Sequence, residues 1–388
     1  MMERARVAVR GIGMISPLDR IGLTTWDAIV AGNVPEGEQL VCDELLPGEA
    51  FVGDDRMFRL GRVAASRALS DAGGDAATTQ RAALFAGTSK GGVESIFAAA
   101  DWCAGSRYRE LPPLLGGVIA AGPSGLAASV AERLRICGTQ HTTVAACSSG
   151  MIALHRAVRA IQYRETDRAV VVAADASVHP LFEASFDRLG VLAKRDADGV
   201  FHCRPGEGSG MFIAEGAAAI VLERVADSDR DALLADTWIG GQAVDLVGSD
   251  PAGETLRVGL SAMTSGPLAF AQAHAPGTSH DVYEFDALRQ LPGAPATFSH
   301  KRWTGHTLGA AGLIAAVLSV ESHRRGVTPI GTPVPRGSAS ITVAQGFGGH
   351  VAILRLNDGA QSQTRRDFNG QSARELLRSI DPRTCGFR

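Results

Sequence analysis

Two runs of this chain, RAVVVAADA (168–176) and GAAAIVLERV (216–225), are apolar with no alternation along most of their length. A strand with one wet face alternates polar and apolar residues, whereas a continuous apolar run must be covered on both sides. Helical patterns stand ready to cover it. RVAASRALSDAG (62–73), SGLAASVAERLRI (124–136) and CSSGMIALHRAVRAI (147–161) carry apolar residues at helical spacing. Strands alternating with helices give the α/β class, with a largely buried central sheet.

The same alternation extends in both directions. ARVAVRGIGMISPL (5–18) reads as a strand running into a Gly-rich turn, TTWDAIVAG (24–32) as a short helix, and RAALFAGTS (81–89) as a strand. A second, smaller unit begins near Ala235, with strands expected at DVYEFDA (281–287), PATFSHK (295–301), SASITVAQ (338–345) and GGHVAILRL (348–356). Its helix is LGAAGLIAAVLSVES (308–322). The sequence thus divides into 1–234, 235–356 and a polar, aperiodic tail, 357–388, expected to pack loosely. CSSGMIALHRAVRAI and GHTLGAAGLIAAVLSV (305–320) echo each other as small-residue turns opening helices after strands. Two similar halves with equivalent turns around a shared site would produce that echo.

Charge excludes some function classes. With 38 Lys and Arg against 41 Asp and Glu, scattered along the chain, no basic face is advertised for nucleic acid or anionic lipid. No apolar run is long enough to span a bilayer, so a cytoplasmic protein away from the membrane is expected. Six cysteines, at 42, 103, 137, 147, 203 and 385, form no CxxC pair, which points to neither a zinc site nor a disulfide framework.

Cys147 stands apart because it opens a helix. Unpaired N–H groups and the helix dipole there favour an anion, which lowers a thiol's pKa, and its small neighbours leave room for a substrate carbonyl. A small apolar cysteine filling a tight turn fits the same spacing. The second turn holds Lys301 and His306, which can supply a donor to a thioester carbonyl and a charge beside a thiolate; each could equally be structural. Cys42, Cys103, Cys137, Cys203 and Cys385 have no catalytic context, and His141, His155, His179 and His202 read as packing or surface residues.

GTSKGG (87–92), TTVAACSSGMIALHRAVRAI (142–161), AEGAAAIVLE (214–223), KRWTGHTLGAAG (301–312) and GFGGHVAILRL (346–356) occur in an order that resembles the β-ketoacyl-acyl-carrier-protein synthases. The resemblance implies a thiolase-like fold, two similar α/β halves with mixed five-stranded sheets layered between helices, in a dimer. It implies that Cys147 takes an acyl chain from acyl carrier protein, whose phosphopantetheine brings the only cofactor chemistry. A malonyl unit then loses CO2 and attacks the acyl-cysteine. His306 would stabilise the enolate and Lys301 order the charges. Phe347 would gate the pocket, with Gly346, Gly348 and Thr304 also on the substrate side.

The chain departs from the family pattern in several places. Taking DVYEFDA as the matching strand leaves the family's HGTGT loop, with its second catalytic His, deleted; a rival register puts His274 of AHAPGTSHD in that role. The glutamate of GAAGxxE is Ala315, GFGGTN reads GFGGHV, and only Gly206, Glu207, Gly208 and Ser209 stand where a longer charged run is usual. With one His and no glutamate, acyl transfer to Cys147 is expected to be easier than decarboxylative condensation. Two assignments follow: a divergent synthase, working as a homodimer or beside a complete ketosynthase, or a non-catalytic subunit like a chain-length factor in such a heterodimer.

Overall fold

The computed structural model describes residues 4–20, 22–33, 40–42, 55–73, 75–104, 121–194, 204–226, 229, 232–243, 247 and 253–358. Its first five strands are β1 (Arg6–Ile15), β2 (Ala83–Gly87), β3 (Gln140–Thr143), β4 (Arg168–Asp175) and β5 (Gly216–Val225). The second five are β6 (Leu233–Gly241), β7 (Phe270–Gln272), β8 (Ala296–Phe298), β9 (Ala339–Gly346) and β10 (His350–Asp358). The sheet order is β3-β2-β4-β5-β1-β6-β10-β9-β7-β8.

Taken inward from either end, the two halves have the same order. In the first, β2 pairs in parallel with β3 and β4, while β5 runs antiparallel to β4 and β1. In the second, β7 pairs in parallel with β8 and β9, while β10 runs antiparallel to β9 and β6. The expected pair of mixed five-stranded sheets is thus present, joined edge to edge where Ala8 pairs with Leu234. The boundary expected after residue 234 falls inside β6.

The helices are α1 (Thr25–Val30), α2 (Arg56–Ala72), α3 (Ala76–Gln80), α4 (Val93–Ala104), α5 (Gly125–Leu134), α6 (Ser149–Gln162), α7 (Pro180–Arg188), α8 (Glu254–Met263), α9 (Asp281–Arg289), α10 (Lys301–Thr304) and α11 (Ala311–Arg325). Helices α6 and α11 share one core with β1, β4, β5 and β10, so they lie between the sheet halves. The other face of the first half is covered by α2 and α5, and that of the second by α8 and α9. Both faces of β4 and β5 are covered, as their uninterrupted apolar runs require. Among the described residues no helix is long and apolar enough to cross a membrane.

One element is corrected. DVYEFDA is not a strand but the start of α9, whose buried residues Asp281, Glu284, Ala287 and Leu288 follow helical spacing. Its acidic residues sit in the first turn, where the helix dipole favours them. The missing strand is β7, three residues long, which lies just before His274. The HGTGT-like loop is therefore not deleted; residues 273–280 occupy its place. Beyond Asp358 the tail lies outside the described residues, as do His202, Cys203, Cys385 and the side chain of Cys103.

Candidate active site

Strands β2, β3 and β4 of one half, and β7, β8 and β9 of the other, end in the loops that build the site, as the carboxyl ends of parallel strands do in open α/β sheets. After β3 the chain turns sharply at Ala146, whose φ is 47°, in the left-handed region that costs an L residue energy. Two serines brace the turn: Ser148 Oγ donates to Ala145 O at 2.7 Å, and Ser149 Oγ donates to Ala146 O at 2.7 Å while accepting from Ala145 N at 2.8 Å. Cys147 is thereby fixed just ahead of α6, 8% exposed. Gly346 has to be glycine, because a Cβ there would lie 2.8 Å from Ala145 O and 2.9 Å from Ser148 Oγ.

A cavity of about 560 Å³ opens over this turn, lined by Cys147, His274, His306, Gly346 and Phe347 among others. The imidazoles of His274 and His306 meet edge to face, their centroids 5.4 Å apart. Burial holds both well below the usual histidine range, and Lys301 adds to the effect, so both are neutral at pH 7. The two histidines expected of the family pattern are therefore both present, and the deletion inferred from DVYEFDA is overturned.

Each histidine is held by its backbone. His306 N–H donates to Phe212 O at 2.7 Å and its carbonyl accepts from Ala214 N at 3.0 Å. On the other side, Glu284 accepts the N–H groups of His274 and Ala275 at 2.7 and 2.8 Å, and Asp281 accepts those of Gly277 and Gly206 at 2.8 and 3.0 Å. Lys301, 1% exposed, donates to His274 O and lies 3.4 Å from His274 Nδ1. Lys301 thus touches His274 and is not among the residues that line the cavity.

Two other expected substrate residues sit off the lining. Thr304 Oγ1 is buried against His300 Nδ1 at 2.9 Å, and His300 in turn holds Ala311 O through Nε2 at 3.1 Å. Gly348 makes a turn at φ 80° beyond Phe347. Ala315 is a buried position on α11 that brings no carboxylate. His155 bonds Thr237, while His141 and His179 stack on Phe85 and Phe97, packing roles as expected.

The thiol departs from its expected state. Burial pushes Cys147 up to about 11, against the pull of Lys90 and then Lys301. Loss of hydration outweighs a helix start, so the resting group is a thiol that must give up its proton as it attacks. The neutral imidazoles at the same cavity are the available bases. Cys147 also packs in an apolar cluster with Phe186, Met211, Ile213 and Leu308.

Sequence reasoning passed over Asp175, Glu284, Asp281 and Lys90. Asp175, at the buried end of β4, accepts from Ser89 N at 3.0 Å and Gly309 N at 3.2 Å, as well as from the hydroxyls of Ser89 and Ser177, tying the two halves together. An acid closing an all-apolar strand was the signal available for it. Glu284 was hidden by reading α9 as a strand.

Residues 53–228 match the family model "Beta-ketoacyl synthase, N-terminal domain" and residues 261–333 the model "Beta-ketoacyl synthase, C-terminal domain". A putative polyketide β-ketoacyl synthase 1 of Streptomyces cyaneus is 29% identical, the match covering 90% of this chain and 97% of that one. A 3-oxoacyl-[acyl-carrier-protein] synthase 2 of Mycobacterium bovis is 28% identical over 76% of this chain and 79% of its own. Among solved structures, a β-ketoacyl synthase from Burkholderia phymatum superposes with a TM-score of 0.76 at 22% identity, covering 91% of this chain and 99% of that one. The ishigamide ketosynthase/chain length factor gives 0.76 at 21% identity, with the same coverage. The doubled half-sheet and the matches across both halves agree: the fold is thiolase-like, and the chain belongs to the β-ketoacyl synthase family.

Proposed function

We propose that this chain is a condensing acyltransferase that receives an acyl group on Cys147 from the phosphopantetheine thioester of an acyl carrier protein. The observation that carries this reading is the meeting of Cys147, His274 and His306 at one cavity. In the first step the Cys147 sulfur attacks the thioester carbonyl, its proton passes by way of an imidazole to the departing phosphopantetheine sulfur, and an acyl-cysteine remains. Thioester exchange needs no other reactant.

In the second step a malonyl thioester enters and loses CO2. Its enolate oxygen is held by N–H donors of the two neutral imidazoles, which cost no charge reversal and stand ready where the negative charge develops. The carbanion attacks the acyl-cysteine carbonyl, the Cys147 sulfur leaves as a thiolate and takes up a proton from water to return to the thiol, and the chain has grown by two carbons. The second histidine removes the main objection to condensation that the sequence raised. It also weighs against a non-catalytic chain-length-factor role, which needs neither thiol nor imidazoles.

The Mycobacterium relative's name specifies acyl carrier protein, and the same donor class is proposed here, delivering to a dimer of two copies or of this chain with another ketosynthase. No resident cofactor is needed. The test is the intact mass of the protein after exposure to acyl-carrier proteins, with Cys147→Ala as control, followed by malonyl-carrier protein. An acyl-sized increase lost in the variant, and CO2 release on malonyl addition, are expected. No adduct from any donor would overturn the reading.

A further inference from the structure

One cation stands against the apolar cluster that packs on Cys147. Lys90 follows β2, half-buried, with its Nζ 4.9 Å from the centroid of Phe182 and 5.6 Å from that of Phe186. Both rings belong to the cluster that packs on Cys147, and Phe186 lies 6.4 Å, centroid to centroid, from Phe347 at the cavity wall. The ammonium donates to Ser89 Oγ at 3.0 Å and makes no ion pair among the described residues. Asp175, one serine away, already accepts from four donors. Lys90 leads the charges that pull on the Cys147 thiol, so its field reaches the reacting sulfur.

An ammonium with no ion pair among the described residues, set against the aromatic rings that pack on Cys147, is an odd neighbour for an alkyl chain. A purely apolar acyl group laid against it would strip its water and return nothing, while a carboxylate on the acyl group would meet it as an ion pair flanked by aromatic faces. We propose that Lys90 makes the acyl site of this chain selective for acyl groups that carry a carboxylate, the short dicarboxylic half-thioesters. The proposal rests on Cys147 being the acylated thiol.

Two measurements on the whole protein separate the proposal from that premise. The first compares initial rates of Cys147 acylation by succinyl- and butyryl-pantetheine, equal in carbon count, read by intact mass in wild type, Lys90→Met and Lys90→Arg. Wild type is expected to favour succinyl by about tenfold or more, the worth of a hydrogen bond to a charged group. Lys90→Met loses the preference and Lys90→Arg keeps it.

The second takes the ratio of Cys147 alkylation rates with iodoacetate and iodoacetamide, in which the thiolate fraction cancels. It is expected to fall about tenfold in Lys90→Met for the same reason. Acylation without succinyl preference, together with an unchanged alkylation ratio, overturns the role of Lys90 and leaves acyl transfer standing. A ratio that falls while neither thioester loads keeps the cation beside Cys147 but sinks acyl transfer, and the selectivity with it.

Discussion

After β3 the chain turns through Ala146 at φ 47° and begins α6 at Ser149; after β8 it turns through Leu308 at φ 45° and begins α11 at Ala311. In both, a left-handed residue stands three positions ahead of the first residue of a helix. CSSG at 147–150 and GAAG at 309–312 are thus the same turn built twice, with cysteine in one copy and glycine in the other. The reason is steric. A Cβ on Gly309 would lie 2.5 Å from Ser89 N and 3.1 Å from Asp175 Oδ2, so the second turn is pressed against the first half and cannot hold a side chain. The two turns thus share a scaffold; one carries Cys147, and the other, pressed against the first half, follows His306.

The largest expected effect breaks this asymmetry at its source. Cys147→Ala abolishes the acyl adduct, and adding Gly309→Cys does not restore it, since the second turn has no room for a thiol facing the cavity; intact mass reads both. A new adduct on the thiol introduced by Gly309→Cys would show the two turns to be chemically interchangeable. In wild type, iodoacetamide modification of Cys147 keeps accelerating as pH rises toward about 11, the value to which burial moves this thiol, rather than levelling off in the ordinary thiol range.

Next in size are the histidines, both supplied by the second half. Removing one oxyanion donor typically costs ~10²–10³-fold, so His274→Ala and His306→Ala are each expected to slow malonyl decarboxylation by that factor. Acyl loading is expected to suffer less, because the first step can draw on the remaining imidazole as a base. If His274→Ala left decarboxylation untouched, the loop at 273–280 would be only a scaffold.

How much of this could be read in advance follows the same division. The first half announces itself: β4 and β5 are long and mostly apolar, and the runs at 168–176 and 216–225 bound them to within one residue. Cys147 and His306 stand in small-residue turns before helices the sequence shows, one by its apolar period and the other by an unbroken run of small and apolar residues, so their placement was legible. The second half hides its parts. Strand β7 is only three residues long, too short to carry a period, and α9 opens with VYEFDA, which alternates like a strand while its buried acids Asp281 and Glu284 obey the helix. Only the tertiary pairing of β7 with β8 and β9 settles that register, and His274 follows from it. The raised pKa of Cys147 was likewise invisible, because burial is not a local property.

A smaller effect tests the packing of the two turns. Gly309→Ala is expected to destabilise the fold by ~1–3 kcal/mol, the usual cost of forcing a methyl into filled space, read from chemical denaturation. The same change at Gly331, where a Cβ would meet nothing within 4 Å, has no such overlap to relieve, although its φ of 81° carries the ordinary left-handed strain. Equal losses at the two sites would mean that contact with Ser89 and Asp175 costs Gly309→Ala no more than left-handed strain alone costs at Gly331.

The smallest effect concerns Glu284, the buried carboxyl that holds the N–H groups of His274 and Ala275. Burial raises its carboxyl from 4.5 to about 7, against the opposing pull of the Ala275 and His274 N–H groups, while the nearby Asp281 adds to the rise. Because the folded pKa lies above the unfolded one, the folded state binds the proton more tightly. The stability this gives is fully present below about pH 4.5 and is lost as pH rises through about 7. Glu284→Gln cannot titrate, and its amide nitrogen faces one of the two N–H donors that Glu284 accepts, a loss of about 1 kcal/mol. Thermal unfolding of the two proteins between those pH values should therefore show wild type ahead by most at the acid end, with the gap narrowing toward neutrality. A gap that widens with pH would mean that the two N–H groups outweigh burial, that Glu284 is ionised throughout, and that the His274 loop is anchored by a fixed charge.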